Sequence, residues 1–394
     1  MSSALFSPLT LAGCRLANRL VVSPMCQYSA VDGVAQQWHW IHTGALMMSG
    51  AGLVILEATA VEAAGRGTPV CLGLYDDAQE AALTRLVADM RRLSETRIGL
   101  QLSHAGRRAA TRTIAERWRG EPLPADEGAW RPVAPSAIAY DDHWQQPEEL
   151  DAAGLARIRR AFAASATRAD RAGFDLLEIH AAHGYLLHNF LSPLTNRRTD
   201  RYGGSGAARM GFPLEVMAAV RDAWPVGKPL GVRVNSTDWH PEGSTLDDAV
   251  AFVAALKRIG VDYAVMSAGN IAPGARIPPA SPGHQVPFAE RIKQEVGLPV
   301  MAVGFIVEAT QAEAIIATGS ADMVALGRAF LDNPRWGWHA AAALGHEISY
   351  PSQYIRARPN NWTGFVKAHP DSTVVGTQQM DRPAAAQWDR PRGA

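Results

Sequence analysis

Short apolar runs rich in β-branched residues recur along the whole chain, and each is followed by an amphipathic stretch with helical periodicity. Their strongly apolar character predicts strands that are buried on both faces of a parallel sheet. The alternation of strand and helix leaves no break in composition where a second domain could begin. We therefore expect an α/β fold with one (β/α)8 TIM barrel, although an open, doubly wound sheet would give a similar local pattern. The eight runs are 20–23, 53–57, 98–102, 176–180, 230–234, 263–267, 300–303 and 323–326.

Two segments fall outside this repeat. Residues 111–144 are rich in Pro, Trp, Asp and Glu and interrupt the connection after the third strand, which is typical of an active-site loop or lid. We expect the barrel to span residues 1–358, and residues 359–394 to form a C-terminal extension that is partly disordered or lies at an oligomer interface. About the last twenty residues are polar and contain proline, which predicts poor order.

The balance of charge argues against several kinds of partner. The 394 residues contain 38 Lys and Arg and 38 Asp and Glu, so composition requires no basic surface for nucleic acid or an anionic membrane, and small neutral substrates fit better. The N-terminus lacks a basic segment followed by an apolar one, and no apolar run approaches the roughly 18 residues of a membrane span, so we expect a soluble, cytoplasmic protein. The three cysteines, Cys14, Cys26 and Cys71, form no C-x-x-C pair, which predicts neither a disulfide framework nor an iron–sulfur cluster.

Polar residues and glycines cluster where the predicted strands end. In a barrel of this type the loops that follow the strands converge over one face, and the chemistry gathers there. We therefore expect these residues to share one site. They are Ser23, Pro24, Met25, Cys26 and Tyr28 after the first strand, Glu57, Thr59 and Ala60 after the second, Gln101, Ser103 and His104 after the third, His180, His183 and Tyr185 after the fourth, Arg233 in the fifth, Ser267 and Gly269 after the sixth, and Gly304, Gly327 and Arg328 after the last two.

His180, His183 and Tyr185 leave one strand together, and three interpretations are open. A metal site would lack a glutamate and a third ligand, so no metal is predicted. Both histidines could instead be satisfied structural residues. As donors to a substrate carbonyl oxygen, they would stabilise the enolate that forms when a nucleophile attacks the β-carbon, by about 3 kcal/mol each. Tyr185, with an ordinary pKa near 10, would remain protonated and could deliver a proton to the α-carbon.

Arg233 and the last two strand ends favour a phosphorylated cofactor. A guanidinium in an apolar strand needs an anionic or strongly polar partner, although an internal salt bridge would also satisfy it. Gly304, Gly327 and Arg328 occupy the region where barrels often bind phosphate. Together with Gln101, these residues indicate a phosphorylated cofactor across the barrel mouth. Residues 203–206 resemble a nucleotide-binding glycine loop, but no strand precedes them, so we expect a loop before a helix.

Eight motifs together resemble the Old Yellow Enzyme family, and specifically its thermophilic-like, xenobiotic-reductase-like branch of ene-reductases. The resemblance covers residues 5–358. The motifs are Ser-Pro-Met-Cys-Gln-Tyr (23–28), Glu-Ala-Thr-Ala-Val (57–61), Gln-Leu-Ser-His-Ala-Gly-Arg-Arg (101–108), Ala-Pro-Ser-Ala-Ile (134–138), Glu-Ile-His-Ala-Ala-His-Gly-Tyr-Leu (178–186), Asn-Arg-Arg-Thr-Asp-Arg-Tyr-Gly-Gly-Ser (196–205), Gly-His-Gln-Val-Pro-Phe-Ala (283–289) and Ala-Leu-Gly-Arg (325–328).

The resemblance implies an FMN-dependent ene-reductase. NADPH, with NADH as an alternative, would reduce FMN, which would then pass hydride to the β-carbon of an α,β-unsaturated carbonyl or nitro compound, with protonation at the α-carbon. His180 and His183 would hold the substrate oxygen, Tyr28 would help bind substrate, and Tyr185 would be the proton donor. Cys26 would tune the flavin and not act as a nucleophile. The residues implied to bind FMN are Ser23, Pro24, Met25, Cys26, Ala60, Gln101, Arg233, Gly304, Gly327 and Arg328.

The resemblance also implies a homodimer or a dimer-based tetramer. In this branch a C-terminal arginine reaches the neighbour's active site, and Arg356 matches that position, with Arg358 as the alternative. The chain departs from the pattern at His284, where close relatives have tyrosine, and in its tail beyond Arg358.

Rival functions stay open at this level. A barrel that binds a phosphorylated ligand without catalysis would share the cofactor cradle. A multidomain relative with an iron–sulfur cluster, such as a dienoyl-CoA reductase, would need more cysteines and a longer chain. A metal-dependent hydrolase would need a third metal ligand.

Overall fold

The apolar runs of the sequence form the strands of a closed barrel. The computed structural model describes residues 3–113, 120–269 and 271–373. Eight parallel strands pair in the order β3-β4-β5-β8-β9-β10-β11-β12, and β12 pairs with β3 to close the ring, which confirms the (β/α)8 barrel. The strands are β1 (Leu9–Leu11), β2 (Cys14–Leu16), β3 (Leu20–Val22), β4 (Leu53–Ala60), β5 (Arg97–Ser103), β6 (Val133–Ala134), β7 (Glu148–Glu149), β8 (Leu176–Ala181), β9 (Leu230–Asn235), β10 (Tyr263–Ser267), β11 (Val300–Ala302) and β12 (Met323–Leu326).

Helices follow the barrel strands in sequence and pack outside them. No helix in the three described stretches is long and apolar enough to cross a membrane. The helices are α1 (Gln37–Met47), α2 (Asp77–Leu93), α3 (Ala152–Ala172), α4 (Leu186–Leu191), α5 (Gly206–Ala223), α6 (Leu246–Ile259), α7 (Val286–Val296), α8 (Ala309–Ala317), α9 (Arg328–Asp332), α10 (Trp336–Ala343) and α11 (Phe365–Ala368).

Two apolar cores stabilise the barrel. The larger one lies between the strands and the surrounding helices, where outward residues such as Leu177 and Val232 meet Phe162. The smaller one lies inside the barrel and contains Leu176 and Tyr263. The antiparallel β1–β2 hairpin adds Leu11, Cys14 and Leu16 to this inner core, so it closes the amino-terminal end of the barrel.

The period-two alternation of the strands carries the polar residues to the opposite end. Along β8 the inward positions are Leu176, Glu178 and His180, while Leu177 and Ile179 face the outer core. The interior therefore changes from apolar to charged and then to hydrogen-bonding residues along the strand direction. Neighbouring strands follow the same register, with Gln101 beside Glu178 and Arg233 beside His180. Gly231 leaves the space that the Tyr263 ring fills, since a Cβ there would lie 2.0 Å from its Cζ.

The predicted loop after the third barrel strand is present, and residues 114–119 of it lie outside the described part. The buried Arg107 donates from Nη1 to the carbonyl oxygens of Ile138 and Ala139, and from Nη2 to Ile271 O. It therefore ties this loop to the loop that follows β10. Phe365 is buried, and Thr373 N donates to Ala342 O. The predicted disorder of the last twenty or so residues lies outside the described residues, as does all of 374–394.

Candidate active site

Residues 23–28 leave β3 along the rim of the barrel mouth. Ser23 N donates to Leu326 O (2.9 Å), which extends the β12–β3 pairing by one residue. Gln27 N donates to Glu57 Oε2 (2.9 Å), and Tyr28 has a left-handed φ of 51°. A carboxylate within β4 thus holds the segment that the sequence assigns to the cofactor.

Arg233 is the central cation of the mouth. Its Nη1 donates to Ser23 Oγ (3.1 Å) and its Nη2 to Ser267 Oγ (3.4 Å). Glu178 lies below it, where it accepts from Gln101 Nε2 (2.6 Å) and from Tyr263 OH (3.4 Å). Burial lowers the pKa of Arg233, and Glu178 opposes that shift. The glutamate therefore compensates the buried guanidinium without a direct salt bridge between them.

His180 and His183 continue this polar chain. Ala182 N donates to His180 Nδ1 (3.2 Å), so the proton of His180 lies on Nε2, which is 3.2 Å from His183 Nδ1. His183 then carries its own proton on Nε2, 2.7 Å from Ser267 Oγ. Each imidazole therefore has one N–H near the mouth, and both are donors.

Burial and then the nearby Arg233 lower the pKa of both imidazoles well below 6.5. The rings are therefore neutral at ordinary pH, because a second positive charge beside Arg233 in a dry site would be costly. A neutral imidazole donates a hydrogen bond without giving up its proton. This pair is suited to hold an oxygen that gains negative charge.

Tyr185 and Cys26 line a small pocket beside the histidines, together with Ala60. The Tyr185 ring lies 4.7 Å from the His180 ring, measured between centroids. Burial, followed by the neighbouring thiols, raises the pKa of Tyr185 well above 10, so its phenol keeps its proton. Burial also raises the pKa of Cys26, with further contributions from Cys71 and Glu57. The Cys26 side chain is therefore a thiol and not a thiolate.

The last strand ends supply backbone and charge. Gly304 has φ +106°, a conformation that favours glycine. Gly327 packs against the Met25 side chain, because a Cβ added at Gly327 would lie 3.4 Å from Met25 Sδ. Arg328 begins α9 and is exposed. The structure thus places Met25 beside Gly327, on the side of the mouth where phosphate binding was predicted.

These residues fit a flavin mononucleotide. The buried Arg233 Nε has no hydrogen-bond partner among the described residues, and it lies at the barrel mouth beside Ser23 and Ser267. An electron-rich carbonyl edge would satisfy it. FMN presents such an edge on one end and a phosphate on the other, and Arg328 lies exposed beside Gly327.

The remaining residues predicted to belong to the site lie away from the hydrogen-bonded group around Arg233 or are not hydrogen-bonded to it in the described part of the chain. Arg356 is exposed on the Ser352–Ala357 turn, and no hydrogen bond of the described residues joins it to the other site residues. Tyr28 is half-buried, and burial first, then Cys26, raises its pKa. Pro24 is half-buried within the 23–28 segment. Within the described ranges, no three His, Cys, Asp or Glu side chains are arranged to hold a metal ion.

Several contributing residues escaped the sequence argument. Ser267 was named only as a strand end, yet its hydroxyl joins Arg233 to His183. Arg108 Nη1 donates to His183 O (2.8 Å), and Asn235 Oδ1 accepts from His183 N (3.4 Å). The sequence signal that could have identified such residues is a polar side chain at an inward-facing position of an otherwise apolar strand, as at Glu178.

The fold and the site together define the class of this protein. A barrel whose mouth can hold a planar, phosphorylated hydride carrier is typical of the flavin-dependent barrel oxidoreductases. Comparison with known proteins gives the family. Residues 4–347 match the model of the NADH:flavin oxidoreductase / NADH oxidase family. An NADPH dehydrogenase of Geobacillus thermodenitrificans (strain NG80-2) is 44% identical over 358 residues, 90% of this chain and 99% of that protein. An NADPH dehydrogenase of Listeria monocytogenes serovar 1/2a (strain ATCC BAA-679 / EGD-e) is 42% identical, with the same coverage.

The solved structure of morphinone reductase is also similar, with a TM-score of 0.73, 29% identity, and coverage of 89% of this chain and 92% of that one. The chain belongs to the NADH:flavin oxidoreductase / NADH oxidase family, and the resemblance to the Old Yellow Enzymes is confirmed. It is an NAD(P)H-dependent flavin oxidoreductase that uses FMN.

Proposed function

We propose that this enzyme is an ene-reductase, which reduces the carbon–carbon double bond of enals, enones and nitroalkenes. One observation carries the proposal. Two neutral imidazoles, His180 and His183, present N–H groups at the mouth beside a phenol, Tyr185, that keeps its proton. An activated alkene needs this combination, because negative charge develops on its oxygen while its α-carbon needs a proton.

The cofactor residues hold one side of this site. When bound, FMN supplies the transfer of hydride from the nicotinamide to the β-carbon. Arg233 would donate to its carbonyl edge, Gln101 lies two strands away on β5, where it donates to Glu178, and Cys26 keeps its proton. The residues that would contact FMN are Ser23, Pro24, Met25, Cys26, Ala60, Gln101, Arg233, Gly304, Gly327 and Arg328.

The histidines bind and polarise the substrate. In the described arrangement His180 donates to His183, and His183 donates to Ser267. A substrate oxygen placed between the rings takes over both N–H groups. Each donor stabilises the developing enolate by about 3 kcal/mol. Because both rings are neutral, substrate binding requires no change in their protonation.

Tyr185 delivers the proton at the α-carbon, and Tyr28 helps to bind substrate from the 23–28 segment. The raised pKa of Tyr185 keeps the phenol protonated until the α-carbon becomes basic enough to take the proton.

The visible spectrum of the purified protein tests this function. We expect flavin colour that bleaches with anaerobic NADPH and returns when 2-cyclohexenone is added. Colour that bleaches but does not return with any activated alkene would contradict ene-reduction. A protein that binds FMN without bleaching would favour a barrel that only binds a phosphorylated ligand.

We further propose that the enzyme forms a homodimer or a dimer-based tetramer, in which Arg356 reaches the neighbouring substrate site. Arg356 follows two exposed apolar residues, Tyr354 and Ile355, with 38% and 44% of their surface accessible. In sedimentation velocity, Ile355→Asp should lower the mass, while Arg356→Ala should keep it and raise KM for the enone. A wild-type monomer would contradict the proposal.

A further inference from the structure

We propose that His188 and Asp238 are a positioning pair that fixes the His183–Tyr185 loop and so aims its side chains at the substrate. The proposal deepens the proposed ene-reductase function and rests on it for the substrate. Within the described residues, no hydrogen bond joins either side chain to the residues that would bind FMN, and both are buried, with 1% and 0% of their surface accessible.

The backbone of this loop forms one local hydrogen bond, from Tyr185 N to Ala182 O (3.1 Å), and side chains of other residues hold it at His183 and Gly184. His183 and Gly184 both have positive φ, 56° and 75°. A left-handed conformation is costly for a histidine, so surrounding contacts must enforce it. Four polar backbone atoms of these two residues bond to side chains of other residues. His183 N donates to Asn235 Oδ1, and Gly184 N donates to His188 Nδ1. His183 O accepts from Arg108 Nη1, and Gly184 O accepts from Asn189 Nδ2.

His188 joins this loop to a buried carboxylate. Gly184 N can only donate, so His188 Nδ1 accepts at 2.9 Å and the proton lies on Nε2. That Nε2 donates to Asp238 Oδ1 (2.8 Å). Asp238 therefore fixes both the tautomer and the orientation of the ring that holds Gly184.

Asp238 is anchored in turn by three further donors. Its Oδ2 accepts from Ser192 Oγ (2.7 Å) and from Ser244 N (2.7 Å), and its Oδ1 also accepts from Asn235 Nδ2 (3.2 Å). A carboxylate with four donors has little freedom to move. Burial raises its pKa, but His188 and the other donors outweigh burial and hold the pKa below its usual range.

Asp238 consequently reaches His183 by two routes. One runs through His188 to Gly184 N, and the other runs through Asn235 to His183 N. His183 and Tyr185 lie on either side of Gly184, so a shift of this peptide moves the oxygen donor and the proton donor together. A displacement of less than 1 Å is enough to disturb such an alignment.

A control for stability lies at the other end of the barrel. Asp175 precedes β8, and its Oδ2 accepts from Ile98 N (3.0 Å) near the start of β5. Replacing it removes a hydrogen bond that joins two strands without acting on Gly184.

Two substitutions separate the two contacts of His188. In His188→Asn the δ-position acceptor for Gly184 N is retained, whereas in His188→Gln only the ε-position donor to Asp238 is retained.

The full-length, FMN-loaded enzyme is assayed with 2-cyclohexenone, which needs a proton at carbon, and with menadione, whose oxygens take protons from solvent. Hydrogen–deuterium exchange of the peptide containing Gly184 is measured with and without FMN.

We expect His188→Gln to lose protection at Gly184 and to lower the ratio of kcat/KM for the enone to that for menadione by about tenfold or more. His188→Asn, which loses the bond to Asp238 but keeps the acceptor for Gly184 N, should keep most of the protection and lower the ratio by no more than about threefold. Asp175→Asn should lower stability and leave the ratio unchanged. Ser192→Ala, a milder change that removes one donor to Asp238, should lower the ratio in the same direction.

An unchanged ratio in His188→Gln, or equal losses in both His188 variants, would overturn the proposal. If His188→Gln does not fold, the Ser192→Ala ratio decides between the same outcomes. If the wild type reduces menadione but not the enone, the proposed function fails. The exchange at Gly184 in His188→Gln and His188→Asn then decides the positioning role by itself.

Discussion

At the scale of the residue, the chemistry of the mouth depends on groups that burial keeps uncharged. The imidazoles of His180 and His183 cannot gain a proton easily beside Arg233, and the Tyr185 phenol cannot lose one easily. The same physical cause, the cost of a charge in a dry site, therefore lowers two pKa values and raises a third. The result is two imidazoles that can donate hydrogen bonds and a phenol that keeps its proton.

The double variant His180→Ala/His183→Ala should retain FMN and lose most enone reduction. The loss of two donors to the substrate oxygen is expected to lower kcat/KM by at least about a hundredfold. Steady-state kinetics with 2-cyclohexenone measures it, and the flavin absorbance of the purified variant is the control. Turnover close to wild type would refute the role of the pair.

Tyr185→Phe should slow the reoxidation of the reduced enzyme by an enone more than its reduction by NADPH. The phenol supplies a proton only when the α-carbon accepts one, and general acid catalysis contributes about 10² to 10⁴ in rate. Stopped-flow measurement of the two half-reactions separates the effects. Equal slowing of both would show that the ring acts only in packing.

At the scale of the element, helix boundaries follow local capping signals. Asp151 accepts from Gly154 N (2.7 Å) at the start of α3, and Gly173 ends the helix with φ 92°. The glycine-rich stretch at 203–206 likewise ends in a cap, because Ser205 Oγ accepts from Ala208 N (3.2 Å) before α5. The predicted loop before a helix is confirmed there.

Asp151→Ala should therefore destabilise the protein by about 1 kcal/mol, the usual cost of a lost N-cap. The midpoint of urea unfolding measures the change. Asp142→Ala, which removes an exposed aspartate from a loop, is the matched control and should leave the midpoint unchanged. Equal midpoints for both variants would mean that the N-cap hydrogen bond of Asp151 contributes no measurable stability to the folded protein.

At the scale of the whole molecule, partly buried ion pairs join neighbouring elements. Glu62, after β4, faces His104 after β5 at 3.1 Å and Arg157 on α3 at 3.0 Å. Burial raises its pKa, but His104 and Arg157 outweigh burial and lower it from 4.5 to about 2. A depressed carboxyl pKa stabilises the fold above the unfolded value, and this contribution is lost as pH falls towards the folded value.

The free energy of unfolding should accordingly differ between wild type and Glu62→Gln by up to about 3 kcal/mol near neutral pH. The difference should shrink as pH falls from about 4.5 towards about 2, because both proteins are then uncharged at this position. Urea unfolding at several pH values tests this, with Glu242→Gln, an exposed glutamate, as control. A difference that does not change with pH would exclude the ion pair as its source.

The sequence by itself determined the strands and the face on which the site lies. All eight predicted runs became barrel strands, since apolar, β-branched segments between helices have few other stable arrangements. The end of β4 differs from the prediction. The run was expected to end at 57, but pairing with β5 resumes at Ala58 after a shift in register and continues to Ala60. Such a shift depends on the partner strand and is invisible in one segment.

The tertiary structure alone decided how the polar residues connect. The hydrogen bonds from Ser23 through Arg233 and Ser267 to His183 join four strand ends that are far apart in the chain. The direction of each pKa shift, and the hold of Asp238 on the His183–Tyr185 loop, likewise follow from burial and close approach. Periodicity in a sequence gives the face on which a side chain lies, whereas distances between faces arise only when the barrel closes.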